Sequence, residues 1–212
     1  MAAVVLGGPA LVTLYTDWLW FGEVGYQQVF TTVFSSQGTL FTITFVASVV
    51  WLEVNVRAAL ASIGDGRPIF TSPRGVTIAL PGRRQLSTIA SAVVVAIAVV
   101  IGLVASGQWH LWQTWRHAVP FGQADPVFGH DVAFFVFTLP FLHFVRGVAQ
   151  GLVVVGALAA GALYLVSGNL TSGFGGSLRL APAARRHLTL VAAVFFGLLA
   201  LRSEEHTSEL QS

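Results

Sequence analysis

The sequence predicts an all-α fold, a polytopic transmembrane helical bundle of about five spans with interfacial or re-entrant segments. Three observations predict it. Only 9% of the 212 residues are charged against 55% hydrophobic, with mean hydropathy +0.76. A soluble domain carries about 25% charged residues, so too few charges remain to coat a water-soluble globule. The apolar residues also fall in long blocks rather than short alternating runs, which favours helices over a β-barrel. Finally, the arginines alternate between the segments that join those blocks.

A helix needs about 20 apolar residues to cross roughly 30 Å of hydrocarbon, and it pairs its own backbone groups while doing so. The first span, about 1–16, begins in MAAVVLGGPALVTLY and reads as the second half of a membrane helix. No basic residue precedes this stretch and an aromatic cluster follows it, unlike a signal peptide. The second span, 39–60, carries Glu53, Asn55 and Arg57 toward its end. The third, 87–107 (STIASAVVVAIAVVIGLVASG), is free of charge.

The fourth span lies within 133–166. Its first part, AFFVFTLPFLHFV, is interrupted by Pro140 and followed by Arg146. As one helix 133–166 would measure about 50 Å, more than the hydrocarbon thickness. A re-entrant or surface-lying piece with a bend near Pro140 is therefore expected before the span proper, Gly147–Val166. The fifth span, 187–201, stops abruptly at Leu201. The string RSEEHTSELQS at 202–212 resembles a translated sequencing adapter and is expected to be non-native, leaving 1–201 as a partial transmembrane domain. Without that tail ten arginines face six acids, a net charge of +4.

Arginine is absent from 17–38, occurs five times in 57–84, once in 108–131 and three times in 167–187. Under the positive-inside rule this places loops 58–86 and 167–187 in the cytoplasm and loops 17–38 and 108–132 outside, in a multi-pass protein of a bacterial plasma membrane. Trp18, Trp20, Phe21 and Tyr26 occupy one outer loop, and Trp109, Trp112 and Trp115 the other. Aromatic rings with one polar atom collect at headgroup level, and the three-residue spacing of the second set predicts an interfacial helix. No internal repeat is legible.

Cysteine is absent, which excludes disulfides, thiolate metal sites and a cysteine nucleophile. Lysine is absent as well. The calculated pI of about 9.7 reflects arginines that orient the chain in lipid, and no nucleic-acid partner is expected.

Two stretches carry a family resemblance: Tyr15 to Phe30 (YTDWLWFGEVGYQQVF), and Ser106 to Phe141 with SGQW followed by PFGQADPVFGHDVAFFVFTLPF. Together they resemble the N-terminal membrane region of the bacterial integral membrane family known as uncharacterised protein family 0182, over essentially residues 1–201. Phe135 departs from the family pattern, where tyrosine is common. The resemblance implies further spans and a large extracytoplasmic region absent from this chain. It implies no reaction.

The residues themselves offer few sites. His110, His117, Asp125, His130 and Asp131 share the second outer loop and are of types that bind Zn²⁺ or Mn²⁺, but their spacing matches no zinc pattern. The plainer expectation is a turn at Asp125-Pro126 and a helix cap at Asp131. Asp17 and Glu23 read as hydrated interfacial acids. Glu53 and Arg57 have the spacing of a helical ion pair, with a proton or ion relay as the sharper alternative. Gly147 and Gly151 form a G-x-x-x-G spacing in a span that also holds Gly156 and Gly161, expected to serve helix packing. The sequon Asn169–Thr171 carries no meaning in a cytoplasmic loop, and Gly173–Gly176 lacks the residues of a P-loop.

No catalytic, cofactor or metal residue is assigned, and an enzyme is not the expected reading. The expected function is to anchor a large extracytoplasmic domain, with the bilayer and other envelope proteins as partners. The alternative is a transporter or channel subunit.

Overall fold

The computed structural model describes residues 2–62, 69–71, 77–79, 82–126, 128–172 and 178–209. Its helices are α1 (Ala2–Glu23), α2 (Gln27–Ala61), α3 (Arg83–Ser106), α4 (Trp109–Arg116), α5 (Leu139–Val166) and α6 (Pro182–Glu209). Four helices are long and apolar enough to cross a membrane among the described residues: Gln27–Ala61, Arg83–Ser106, Phe134–Val166 and Pro182–Ala200. Helix α6 continues through the start of the 202–212 tail to Glu209.

The first expected loop is mostly helical. Helix α1 runs to Glu23, so Asp17, Trp18 and Trp20 lie on a helix, and a turn at Gly25 separates it from α2. There φ is +76°, a conformation that glycine adopts without a Cβ clash. Helix α2 then starts at Gln27, a dozen residues before the expected span. The serines and threonines in its first half stay helical because their hydroxyls bond back to the preceding turn, as Thr39 Oγ1 does to the Ser35 carbonyl at 2.8 Å.

Around Pro140, where a bend is expected, the backbone stays helical but changes its turn. A π-helical turn, Phe134–Thr138, leads directly into α5, and Pro140 falls in the first turn of that α-segment. There the missing N–H and the ring disturb the backbone least, because the wider turn before it absorbs the mismatch. The stretch Phe134–Val166 is therefore helical throughout.

Two short antiparallel hairpins were not foreseen. Strands β1 (Ile69–Thr71) and β2 (Thr77–Ala79) join α2 to α3, and β3 (Leu170–Ser172) and β4 (Leu178–Leu180) join α5 to α6. The chain thus uses the order helix, hairpin, helix twice. Each second helix opens similarly: Arg83, Arg84, Gln85, Leu86 in α3 and Arg185, Arg186, His187, Leu188 in α6. Leu86 packs on the cluster of Leu52, Val56, Leu60 and Val94, and Leu188 on that of Ala59, Ala160, Tyr164 and Ala184. Asn169 Nδ2 donates to Ser62 Oγ at 3.2 Å, so both hairpins spring from the same end of the bundle.

The interior is small and polar while the exterior is large and apolar. Ser48, Ala59, Ala98, Ala160 and Ala184 are fully enclosed, with Ser36, Thr44 and Asn55 beside them. Val104, Leu158 and Leu190 are 70%, 68% and 67% exposed. Small residues let the helix axes approach. At Gly102 of α3 a Cβ would stand 2.9 Å from the Phe41 ring of α2 and 3.3 Å from its carbonyl oxygen.

Candidate functional site

The most developed polar constellation lies where α2, α5 and α6 meet, close to the hairpin end. Trp51, Asn55, Tyr164 and His187 come from three helices, and Asn55 and Tyr164 are only 3% and 1% exposed. Trp51 Nε1 donates to the Leu152 carbonyl across the α2–α5 interface at 2.9 Å. Asn55 Nδ2 donates to the Trp51 carbonyl at 2.7 Å, which leaves its Oδ1 to face His187 Nε2 at 3.1 Å. Tyr164 Oη lies 2.8 Å from His187 Nδ1.

These partners select one hydrogen assignment. Oδ1 can only accept, so Nε2 carries the imidazole proton and Nδ1 accepts from the Tyr164 hydroxyl. Every polar atom in the string is then matched. A saturated network of this kind fixes helix register and leaves no group free to attack or bind. Gly156 makes the approach possible: a Cβ there would lie 2.8 Å from Trp51 Nε1 and 3.4 Å from the Asn55 amide. Gly147, Gly151 and Gly161 face open space, so the G-x-x-x-G spacing is not the contact and Gly156 is.

Glu53 and Arg57 form the expected helical pair, with Arg57 Nε donating to Glu53 Oε2 at 2.9 Å. The arginine is largely exposed, so the pair contributes little to stability.

At the opposite end α4 lies across α2 and α5. Its Gln113 side chain donates to Ser36 Oγ of α2, and Trp115 stacks on Phe141 of α5 with ring centroids 4.6 Å apart. Trp112 closes the same cluster, 5.3 Å from Trp115 and 5.8 Å from Phe141. The loop that follows is tied by Asp131. Its Oδ1 accepts from the Phe121 and Ala133 amides at 3.0 and 2.8 Å, and its Oδ2 from the Gly122 amide at 2.8 Å.

The residues weighed as metal ligands are not brought together: no group of three or more His, Cys, Asp or Glu side chains placed to hold a metal ion occurs among the described residues. His117 Nδ1 faces the Gln113 carbonyl at 3.0 Å, His130 stacks on Phe134, and Asp125 accepts the Gly129 amide through its own carbonyl.

The hydrogen bonds to Asp131, that from Ala133 first and then those from Phe121 and Gly122, hold its carboxyl below the usual aspartate value against an opposing desolvation. The folded value is the lower one. Its contribution to loop order is therefore complete above the unfolded pKa of about 3.9 and is lost as pH falls through the folded value. In Asp131→Asn one accepting oxygen becomes a donor. Exchange of the Phe121 and Gly122 amide protons, relative to intrinsic rates, should rise roughly tenfold. Hydrogen-exchange mass spectrometry at neutral pH measures this, and unchanged protection would refute the role given to Asp131.

The hairpin linkers around Arg67, Arg74 and Gly173–Gly176 lie outside the described residues. Sequence reasoning missed the Trp51–Asn55–His187–Tyr164 string. Asn55 inside an apolar span was its one visible signal, but the partner stands 132 residues away.

The profile described as Uncharacterised protein family (UPF0182) matches residues 1–209. The UPF0182 protein of Rhodococcus jostii (strain RHA1) is 36% identical over 209 residues, covering 95% of this chain and 20% of its own length. That of Saccharopolyspora erythraea is 36% identical over 213 residues, covering 93% and 22%. That of Mycobacterium tuberculosis (strain ATCC 25177 / H37Ra) is 37% identical over 215 residues, covering 95% and 20%. The chain spans about a fifth of the length of these curated relatives. No solved structure matches.

Proposed function

The chain belongs to the uncharacterised protein family UPF0182, and on that footing we propose that it is the membrane-embedded base that carries the remainder of a much longer protein at the outer face of a bacterial plasma membrane. The observation that carries this reading is the inverted distribution of side chains, large apolar groups outward and small or polar ones inward along four helices. In water so much contiguous apolar surface would drive aggregation. In lipid it is the ordinary exterior, and association rests on close approach and internal hydrogen bonds.

Helix lengths support a definite placement. Counting about 20 residues back from the hairpin end covers the hydrocarbon with roughly 42–61 of α2 and 147–166 of α5. The arginine-rich hairpin end is then cytoplasmic, and Arg146 falls at the outer boundary. The first third of both helices, with α4 and the Asp131 loop, stands clear of the outer leaflet as a collar. The aromatic cluster of Trp112, Trp115 and Phe141 braces that collar. Other envelope proteins are partners suited to such a base, and nothing in it calls for nucleic acid.

The absence of cysteine makes this testable without background labelling. Single cysteines at Val119 and Gln123 should react with a membrane-impermeant maleimide on intact cells, and those at Gln85 and Ala183 only after permeabilisation. The reverse pattern would invert the proposed topology. Release of the chain by alkaline carbonate would end the spanning reading altogether.

A transporter or channel subunit is the second reading. It draws on the repeated helix–hairpin–helix order with polar side chains at the junction of the two units, an arrangement found in repeat-built transporters. Ion flux through proteoliposomes that disappears in Asn55→Leu would favour it over the anchor.

A further inference from the structure

A second feature of the hairpin end is a cavity of about 750 Å³ lined by Leu180, Pro182, Arg185, Arg186, Thr189 and Leu190. It lies on the side of α6 turned away from the bundle, since Ala184, His187, Leu188 and Val191 hold the inward face. Arg185 and Arg186 are exposed, and the Arg57–Glu53 ion pair lies apart from them on α2. Two guanidinium groups share this cavity with apolar Leu180 and Leu190 where α6 starts, and its lining among the described residues holds no carboxylate.

We propose that this cavity seats the phosphate of an anionic phospholipid headgroup from the surrounding leaflet. The guanidinium fork matches phosphate oxygens in pairs, and the Thr189 hydroxyl lies one turn further along the same face. Leu190, 67% exposed directly below, offers the acyl chain an apolar path. The dipole at the start of α6 adds positive potential in the same place. A zwitterionic lipid brings its own ammonium group to this positive field and is disfavoured; a lipid of net negative charge is not. Basic pockets at the cytoplasmic ends of membrane helices take anionic headgroups for these reasons. The inference rests on the reading of α6 as a membrane span.

Native mass spectrometry of the purified chain in detergent, titrated with phosphatidylglycerol, phosphatidylcholine or inorganic phosphate, provides the test. Phosphatidylglycerol should bind in preference to phosphatidylcholine, and the double variant R185Q/R186Q should weaken it at least tenfold. The variant R83Q/R84Q removes the same charge at the same end and should change binding by less than about twofold. Equal binding of both lipids, or equal losses in the two double variants, would overturn the site. Phosphate displacing phosphatidylglycerol at millimolar concentration would reassign the cavity to a soluble anion and overturn the lipid assignment. Carbonate extraction of the wild type and R185Q/R186Q runs beside it. Both should remain in the membrane fraction whatever the lipid result, so a failed spanning reading is separable from a failed lipid site.

Discussion

Gly156→Ala is expected to destabilise the bundle by roughly 2–4 kcal/mol. A Cβ at Gly156 would meet Trp51 Nε1 at 2.8 Å, so the indole must move. Overpacking a close helix contact costs about 1–3 kcal/mol. The indole cannot turn aside freely, because its N–H bonds the Leu152 carbonyl one turn earlier on the same helix. Losing that bond adds roughly 0.6–1.7 kcal/mol in a membrane setting. Gly151→Ala is the matched control: it meets nothing within 4 Å, and relief of glycine's helix penalty should leave it neutral or more stable by up to about 1 kcal/mol. Titration of helicity with sodium dodecyl sulfate reads both. Equal midpoints for the two variants would show that α2 and α5 do not meet at Gly156.

The second large effect is expected at His187. Replacing it with phenylalanine keeps a ring of similar size and leaves two enclosed groups without partners, Asn55 Oδ1 and the Tyr164 hydroxyl. Each unpaired group costs about 1–3 kcal/mol, so a total of about 2–6 kcal/mol is expected. Asn55→Leu strands one group, the His187 Nε2 proton, and should cost about half as much. The double variant should fall short of the sum by roughly 0.6–1.7 kcal/mol, the coupling of a direct pair in a membrane. Strict additivity in the same titration would mean that the two side chains do not touch.

What the sequence disclosed follows the reach of the forces involved. Hydrocarbon thickness is a one-dimensional constraint, so STIASAVVVAIAVVIGLVASG announced α3, whose end at Ser106 lies one residue from expectation while its start at Arg83 lies four earlier. The Glu53–Arg57 pair and the tryptophan-bearing α4 are local patterns within two turns of helix, and both are present. Pro140 follows a π-turn directly, a backbone adjustment that no residue type signals. Gly156 could not be singled out from Gly147 and Gly151, since spacing puts it on a different face from theirs but does not show which face meets a neighbour. The two hairpins escaped notice because each pairs strands of only three residues. The polar string was least visible of all, being assembled from three helices.

That last separation has a consequence for biogenesis. Asn55 Nδ2 finds its acceptor one turn back, at the Trp51 carbonyl, as soon as α2 forms. Its Oδ1 waits for His187, 132 residues downstream. At about 5–20 residues per second, a ribosome needs roughly 7–26 s to deliver that imidazole. Throughout the interval the nascent chain carries the Asn55 Oδ1 without the imidazole that answers it in the finished bundle.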